Sequence, residues 1–298
     1  MSKANIFDIK RFAIQDGSGI RTVLFIKGCP LRCKWCQNPE GLSKGIRIWA
    51  RGNRCVACDS CIQACPRQAI SRDGKGLRID AAQCDLCGKC EAICPTMTLQ
   101  RDGRPMDVQE AMEHILQDRL FYGTEGGVTL SGGECTASPD FSLAVLEASK
   151  KAGIHTAIET CMHAPASIMD DFCQAAGAIL ADIKLLDPQR HKAATGVDNG
   201  CILENFARLA RRAPSLLIRI PLIPGYTADE GNVAAIAAHV AKVNRAIPVE
   251  LINFNPLCIS KYQTLRQAYI PTDGKPLPPA EVARLAQIVK AQGLSVKY

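Results

Sequence analysis

The chain has 298 residues, of which 47% are apolar and 22% charged, an ordinary mix for a globular protein able to bury a sizeable core. No apolar run reaches the roughly 18 residues that cross a bilayer, and "MSKANIFDIKRF" at the N-terminus has no apolar signal region, so a cytoplasmic protein without membrane partners is expected. The formal charge is +7, but residues 1–54 hold eleven Lys and Arg against three acids, so the excess surrounds the first cysteines and offsets an anionic metal site there; nucleic acid is not an expected partner.

In chain order, "TVLFIKG" (22–28) reads as a strand running into a Gly-initiated loop. The loop that follows holds Cys29, Cys33 and Cys36 in the spacing C-x3-C-x2-C. Sixteen cysteines occur in all, eleven of them between residues 29 and 94. A disulfide scaffold belongs to small secreted domains, so metal ligation is the better explanation. Three thiolates on a four-iron cluster leave one iron without a protein donor, and an open position is what separates reactive from closed metal sites. Trp35 inside the loop is placed to shield such iron from water.

"CVACDSCIQACPRQAI" (55–70) and "CDLCGKCEAICPTMTL" (84–99) are two copies of C-x2-C-x2-C-x3-C-P set 29 residues apart. This is the bacterial two-cluster ferredoxin run, in which the fourth cysteine of each copy ligates the other copy's cluster. One [4Fe–4S] cluster is therefore expected on Cys55, Cys58, Cys61 and Cys94, and a second on Cys65, Cys84, Cys87 and Cys90. Zinc sites of comparable spacing often include His, and this stretch has none. With four protein donors each, these clusters carry electrons or staple the fold.

Beyond residue 100, strand-like segments at 127–132, 155–160, 178–184, 215–222 and 249–255 alternate with helical runs at 139–151, 203–212, 229–244 and 279–292. Such alternation implies a parallel sheet covered by helices, with function at the C-terminal ends of the strands. With strand 22–28 the count is about six units, so the expected fold is α/β, a partial (β/α)6 barrel carrying the cysteine repeat as an insert. The expected division is a first barrel unit at 1–49, a ferredoxin-like insert at 50–100 and the remaining barrel at 101–298. Strand ends carry "SGGE" (Gly132, Gly133, Glu134), Glu159 and Thr160, "DIK" (Asp182, Ile183, Lys184) and Arg219. An acid and a base two apart on one strand face, such as Asp182 and Lys184, must be paired or bound to something.

The C-x3-C-x-aromatic-C loop resembles the signature of radical S-adenosylmethionine enzymes. With "DGSGIRTVLFIKGCPLRCKWCQNPEG" (16–41), "SGGE", "AIET", "DIK", "HKAATGVDNGCILEN" (191–205) and "RIPLIPGYTADEGN" (219–232), most of the chain is similar to the activating enzymes of glycyl radical enzymes. The resemblance implies three [4Fe–4S] clusters and S-adenosylmethionine. It implies reductive cleavage of that cofactor to a 5′-deoxyadenosyl radical, which takes an α-hydrogen from a glycine in the C-terminal loop of a large partner enzyme. It also implies a low-potential electron donor such as flavodoxin or ferredoxin. The cofactor would be met by Trp35, Cys36, Gln37, Gly132, Gly133, Glu134, Asp182, Ile183, Lys184, Arg219 and Asn232. Cys29, Cys33, Cys36, Asp182 and Lys184 would form the catalytic group, and a monovalent cation (sodium or potassium) would take oxygens from Glu159, Thr160 and Asp182. Ser18 stands where the family often has Pro, and Cys135 follows "GGE" where Pro is common. Two rival readings exist. A sulfatase-maturase-like peptide modifier usually carries its extra cysteines towards the C-terminus, and a ferredoxin-type electron-transfer protein leaves the three-cysteine loop unexplained.

Overall fold

The computed structural model describes residues 2–265, 269 and 275–298. Lys3–Ala13 (β1) pairs antiparallel with Arg21–Ile26 (β2). Between β2 and the rest of the parallel strands the chain forms Ile48–Ala50 (β3), Ser60–Gln63 (α1), Ile70–Asp73 (β4), Gly76–Ile79 (β5), Lys89–Ile93 (α2) and Leu99–Arg101 (β6). It re-enters the main sheet as Arg104–Asp107 (β7), antiparallel to β1, followed by helix Val108–Gln117 (α3). Then come Gly127–Gly132 (β8), Pro139–Lys151 (α4), His155–Thr160 (β9), Ala166–Ala175 (α5), Ala178–Asp182 (β10), Pro188–Thr195 (α6) and Gly200–Arg212 (α7). The chain ends with Leu216–Leu222 (β11), Glu230–Val243 (α8), Val249–Asn253 (β12), Ile259–Thr264 (α9), Pro279–Ala291 (α10) and Val296–Lys297 (β13).

The main sheet runs β13-β12-β11-β10-β9-β8-β2-β1-β7, and from β2 to β13 every neighbour pair is parallel. Parallel strands covered on both faces read as continuous apolar runs, and β8 and β2 are buried along nearly their whole length. The core between sheet and helices includes Phe141, Phe172 and Phe206, all shut off from solvent. Each contributes about 1.5–3 kcal/mol by leaving water. Arg21 at the start of β2 is also wholly buried. It survives there because its guanidinium donates to Thr129 Oγ1 (2.6 Å), Val128 O (2.6 Å) and Ser18 O (2.9 Å), which pins the "DGSG" turn beneath the sheet.

Most expected elements appear with small boundary changes. The strand expected over 178–184 ends at Asp182, so Lys184 lies just past its end. The antiparallel strands β1 and β7, the short edge strand β13 and the helix α6 were not anticipated. β1 and β7 lack an uninterrupted apolar run because β1 is the charged stretch "KANIFDIKRFA", half of it facing water.

Segment 48–101 has its own small apolar cluster of Ile48, Cys61, Ile70, Leu77, Cys90 and Leu99. The sequence repeat is repeated in the backbone. Left-handed residues occur at Ala57 and Leu86, at Asp59 and Gly88, and at Gln68 and Met97, each pair 29 apart. The same N–H···S bond also recurs, Ala69 N to Cys65 Sγ at 3.3 Å and Thr98 N to Cys94 Sγ at 3.2 Å. Left-handed backbone is unfavourable for residues other than Gly, so its recurrence at matching positions marks one loop geometry built twice.

Candidate functional site

Because the strands from β2 to β12 are parallel, their C-terminal ends meet along one edge, and a cavity of about 310 Å³ opens there. Cys29, Cys33, Trp35, Cys36 and Gln37 line it from the loop after β2. Ser131, Gly132, Gly133 and Glu134 come from β8, Glu159, Thr160 and Cys161 from β9, Asp182 and Lys184 from β10, and Arg219 from β11. Sites predicted from sequence as much as 190 residues apart thus share one wall. Ile183 and Asn232 do not line it. Ile183 turns into the core, and the Asn232 amide is spent on Lys184 O, Thr227 O and Leu186 N, where it holds the backbone after β10.

The three-cysteine loop is held from several sides. Gly28 N donates to Gly41 O (2.7 Å), Arg32 N to Thr195 O (2.7 Å) and Lys34 N to Ala194 O (3.1 Å), while Tyr262 Oη donates to Cys36 O (3.0 Å). Lys261 of α9 reaches Gln37 O, Asn38 Oδ1 and the Glu40 carboxylate. Trp35 is nearly buried against Leu185, Ala194, Ile223 and Phe254, with Tyr226 tilted 5.4 Å away. Gly132 and Gly133 meet backbone rather than open space. A Cβ at Gly132 would sit 2.2 Å from Ile26 N, and one at Gly133 2.2 Å from Gly41 O, so these glycines let β8 lie flush against the loop's base.

The donor set fits a soft polynuclear metal group. Three thiols converge on a walled cavity, and burial pushes Cys33 up to about 11 and Cys36 higher still, so they ionise only when a cationic partner takes the charge. Among the described residues no group of three or more His, Cys, Asp or Glu closes on a single ion. In segment 48–101 the chain likewise brings Cys65 to the same small cavity as Cys84, Cys87 and Cys90. Cys55 and Cys94 both act electrostatically on Cys61, and Arg72 directs its guanidinium at Cys55 Sγ (3.7 Å). Burial raises Cys94, yet the N–H groups of Leu99 and its neighbours outweigh it and bring that thiol down to about 7.

The polar wall of the main cavity is internally matched. Lys184 Nζ pairs with Asp182 Oδ2; burial pushes the amine down, and the Asp182 carboxylate, foremost among its acidic neighbours, more than offsets this and raises it above its ordinary value. Arg219 lies between Glu159 and Glu250 and also reaches Gln15 O. Ser131 Oγ donates to Glu159, and Thr160 Oγ1 donates to Glu134 Oε1 at 2.8 Å. Glu134 is the hub of the β8 and β9 ends, accepting Cys161 N (2.8 Å) and Thr136 N (3.3 Å) as well. Cys161, just past β9, lines the same cavity as Cys29. Sequence reasoning missed Ser131 and treated Cys161 as scattered. The signal that would have found them is position: each stands at or just past a strand end already singled out.

A family profile described as the Radical SAM superfamily matches residues 23–235. The "(2S)-3-sulfopropanediol sulfolyase activating enzyme" of Bilophila wadsworthia is 41% identical over 270 residues, 89% of each chain. An "Isethionate sulfite-lyase activating enzyme" from Nitratidesulfovibrio vulgaris is 39% identical over 96% of this chain and 94% of its own. The "Benzylsuccinate synthase activating enzyme" of Thauera aromatica is 36% identical over 98% and 91%. Among solved structures, a domain of pyruvate-formate lyase-activating enzyme from Bacteroides vulgatus aligns at 28% identity and a TM-score of 0.49, covering 58% of this chain and 98% of that one.

Proposed function

The chain belongs to the radical S-adenosylmethionine superfamily and, within it, to the activating enzymes of glycyl radical enzymes; from that premise we propose how its own residues divide the work. The reaction is the activation of a partner glycyl radical enzyme by cleavage of S-adenosylmethionine and removal of a glycine α-hydrogen. It runs downhill because a primary alkyl radical gives way to a glycyl radical stabilised by its flanking amide groups. Cys29, Cys33 and Cys36 would hold a four-iron cluster, which would supply the one electron needed for cleavage of the cofactor.

The remaining roles fall to the protein. Lys184, paired with Asp182, meets the anionic part of the cofactor. Gln37, Gly132, Gly133 and Glu134 frame its methionine end, with Arg219 further along the wall. Asn232 and Ile183 fix the backbone that carries Lys184. Trp35 with Leu185, Ile223 and Phe254 excludes water from the loop. A monovalent cation is offered oxygens by Asp182, Glu159 and Thr160; its binding requires Glu159 to share its carboxylate with Arg219, and Thr160 to share its hydroxyl with Glu134.

The sheet is read as a partial (β/α)6 barrel of β2 and β8–β12, edged by the antiparallel β1 and β7. Segment 50–100 is read as a ferredoxin-like insert with two further [4Fe–4S] clusters, between a first unit at 1–49 and the remainder at 101–298. The paired left-handed residues and the Cys65–Cys84–Cys87–Cys90 grouping support this reading. A low-potential flavodoxin or ferredoxin is the electron source. The observation that carries the proposal is the meeting of three loop cysteines with the Asp182–Lys184 pair in one cavity. The test is electron paramagnetic resonance of a candidate partner mixed anaerobically with the chain, reductant and S-adenosylmethionine. A persistent doublet on the partner is expected; its absence while the cofactor is cleaved would refute the assigned substrate.

A further inference from the structure

We infer that a basic groove beside the three-cysteine loop, lined by Arg32, Lys44 and Arg47, is the docking site of an acidic one-electron carrier protein. The electron would then reach the Cys29 side of the reactive centre without crossing the cofactor cavity. The inference rests on the proposed reading of Cys29 as a cluster ligand and of a flavodoxin or ferredoxin as electron source.

The groove measures about 670 Å³ and lies against the loop after β2. Arg32, Lys44, Arg47 and His163 line it, and its described lining includes no Asp or Glu. Arg32 and Lys44 are exposed. Two carboxylates of the neighbouring sequence are already spent. Glu40 pairs with Lys261, and Asp102 is shared between the buried Lys27 at 3.0 Å and Arg47 at 3.5 Å, which leaves one positive charge of that trio uncompensated. A groove of one sign concentrates a partner of the opposite sign and speeds its arrival.

Its place beside the cysteine loop selects an electron carrier over the glycine substrate. Cys29 is the single described residue that lines both the groove and the cofactor cavity. The Asp182–Lys184 pair, Gly132 and Gly133 face the cavity and not the groove. A glycine must enter the cavity to meet the nucleoside radical, whereas an electron has only to arrive near a cluster ligand. Arg32, Lys44 and Arg47 belong to the basic excess of residues 1–54, and none of them lines the cavity. Electron-transfer partners bury small interfaces and part readily, which an exposed polar groove suits. In the docked state one electron leaves the reduced carrier and enters the group held by the loop; no bond forms or breaks.

The test uses the reconstituted holoenzyme and purified flavodoxin as the probe. It compares Lys44→Gln, Lys44→Glu and, as a reversal outside the groove, Lys242→Glu at an exposed position of α8. Affinity is read by calorimetric titration, and reduction of the clusters by stopped-flow absorbance, at low and high salt. Lys44→Gln should weaken flavodoxin binding roughly threefold and Lys44→Glu roughly tenfold, as for one exposed charge lost and then reversed. Both losses should shrink at high salt through screening. Reduction by photoreduced deazariboflavin, a neutral reductant that needs no docking, should match the parent. Parent-like affinity in both Lys44 variants, or an equal loss in Lys242→Glu, would overturn the docking site. So would a loss confined to affinity for the glycyl radical enzyme. If deazariboflavin reduces the parent while flavodoxin and ferredoxin do not, the electron-source reading fails and the inference with it.

Discussion

Lys27 and Asp102 form an ion pair of 3.0 Å in which neither side chain reaches solvent. Lys27 directly follows β2 on the way to Cys29, and Asp102 directly follows segment 48–101, so the pair ties that segment to the base of the reactive loop. Lys27 Nζ also donates to Glu40 O, and Arg47 N donates to Asp102 Oδ1. Breaking a buried pair strands one charge, so Lys27→Met is expected to cost about 3–5 kcal/mol. A double-mutant cycle with Asp102→Asn, read by denaturant unfolding, should show strong coupling; additive losses would mean that the pair is not a unit.

Cys33→Ala is expected to abolish S-adenosylmethionine cleavage while sparing the clusters of segment 48–101. Iron should fall from about twelve to about eight atoms per chain, the loss of one four-iron group. Full iron content with cleavage retained would exclude Cys33 as a ligand.

Lys184 is paired with Asp182, and removing the amine takes away a charge-assisted contact to the cofactor. Lys184→Met should weaken S-adenosylmethionine binding roughly 10–100-fold, from the 1.5–3 kcal/mol typical of such bonds, with iron content unchanged. Calorimetric titration of the variant with the cofactor checks this, and unaltered affinity would remove Lys184 from the binding set.

The Asp118 carboxylate is buried beneath β2, where Arg11 Nε donates to it at 2.8 Å and Thr22 Oγ1 at 2.6 Å. The Arg11 guanidinium, foremost, holds it below its ordinary value of 3.8. A depressed carboxylate contributes stability above its unfolded pKa and loses it as pH falls through the folded value, so the effect should fade below about pH 4. Asp118→Asn should lower the thermal midpoint at neutral pH and flatten the acid limb of the stability profile. An acid limb identical to the parent's would count against this role.

Tyr262 reaches across 226 residues of sequence to the Cys36 carbonyl. Tyr262→Phe removes a single bond worth about 1 kcal/mol. Because that bond braces a cluster ligand, the expected result is faster iron loss from the three-cysteine site under a chelator. The rate for segment 48–101 should be unaffected.

Much of this was legible in the sequence for a physical reason. Cysteine ligands within one loop are separated by a few bonds, so C-x3-C-x2-C and the paired C-x2-C-x2-C-x3-C runs constrain geometry before any folding is considered. The 29-residue repeat reappears as matched left-handed residues because the same local loop was built twice. Apolar runs alternating with helices announced the parallel strands, and strand ends announced Glu134, Glu159 and Asp182. The antiparallel strands β1 and β7 were not legible, since strands at the antiparallel end of the sheet need neither a continuous apolar run nor a clean alternation.

By itself, then, the sequence determined which cysteines are the candidate ligands, how many donors each loop offers, and the alternation of parallel strands with helices, because each is set by spacing along the chain. Only the tertiary structure decided that Cys161 shares a cavity with Cys29, that Arg219 is shared by Glu159 and Glu250, that Ile183 and Asn232 stand behind the cavity wall, and that Lys27 is closed onto Asp102. Those contacts join positions tens to hundreds of residues apart, and they follow from strand register and helix packing, which no local pattern encodes.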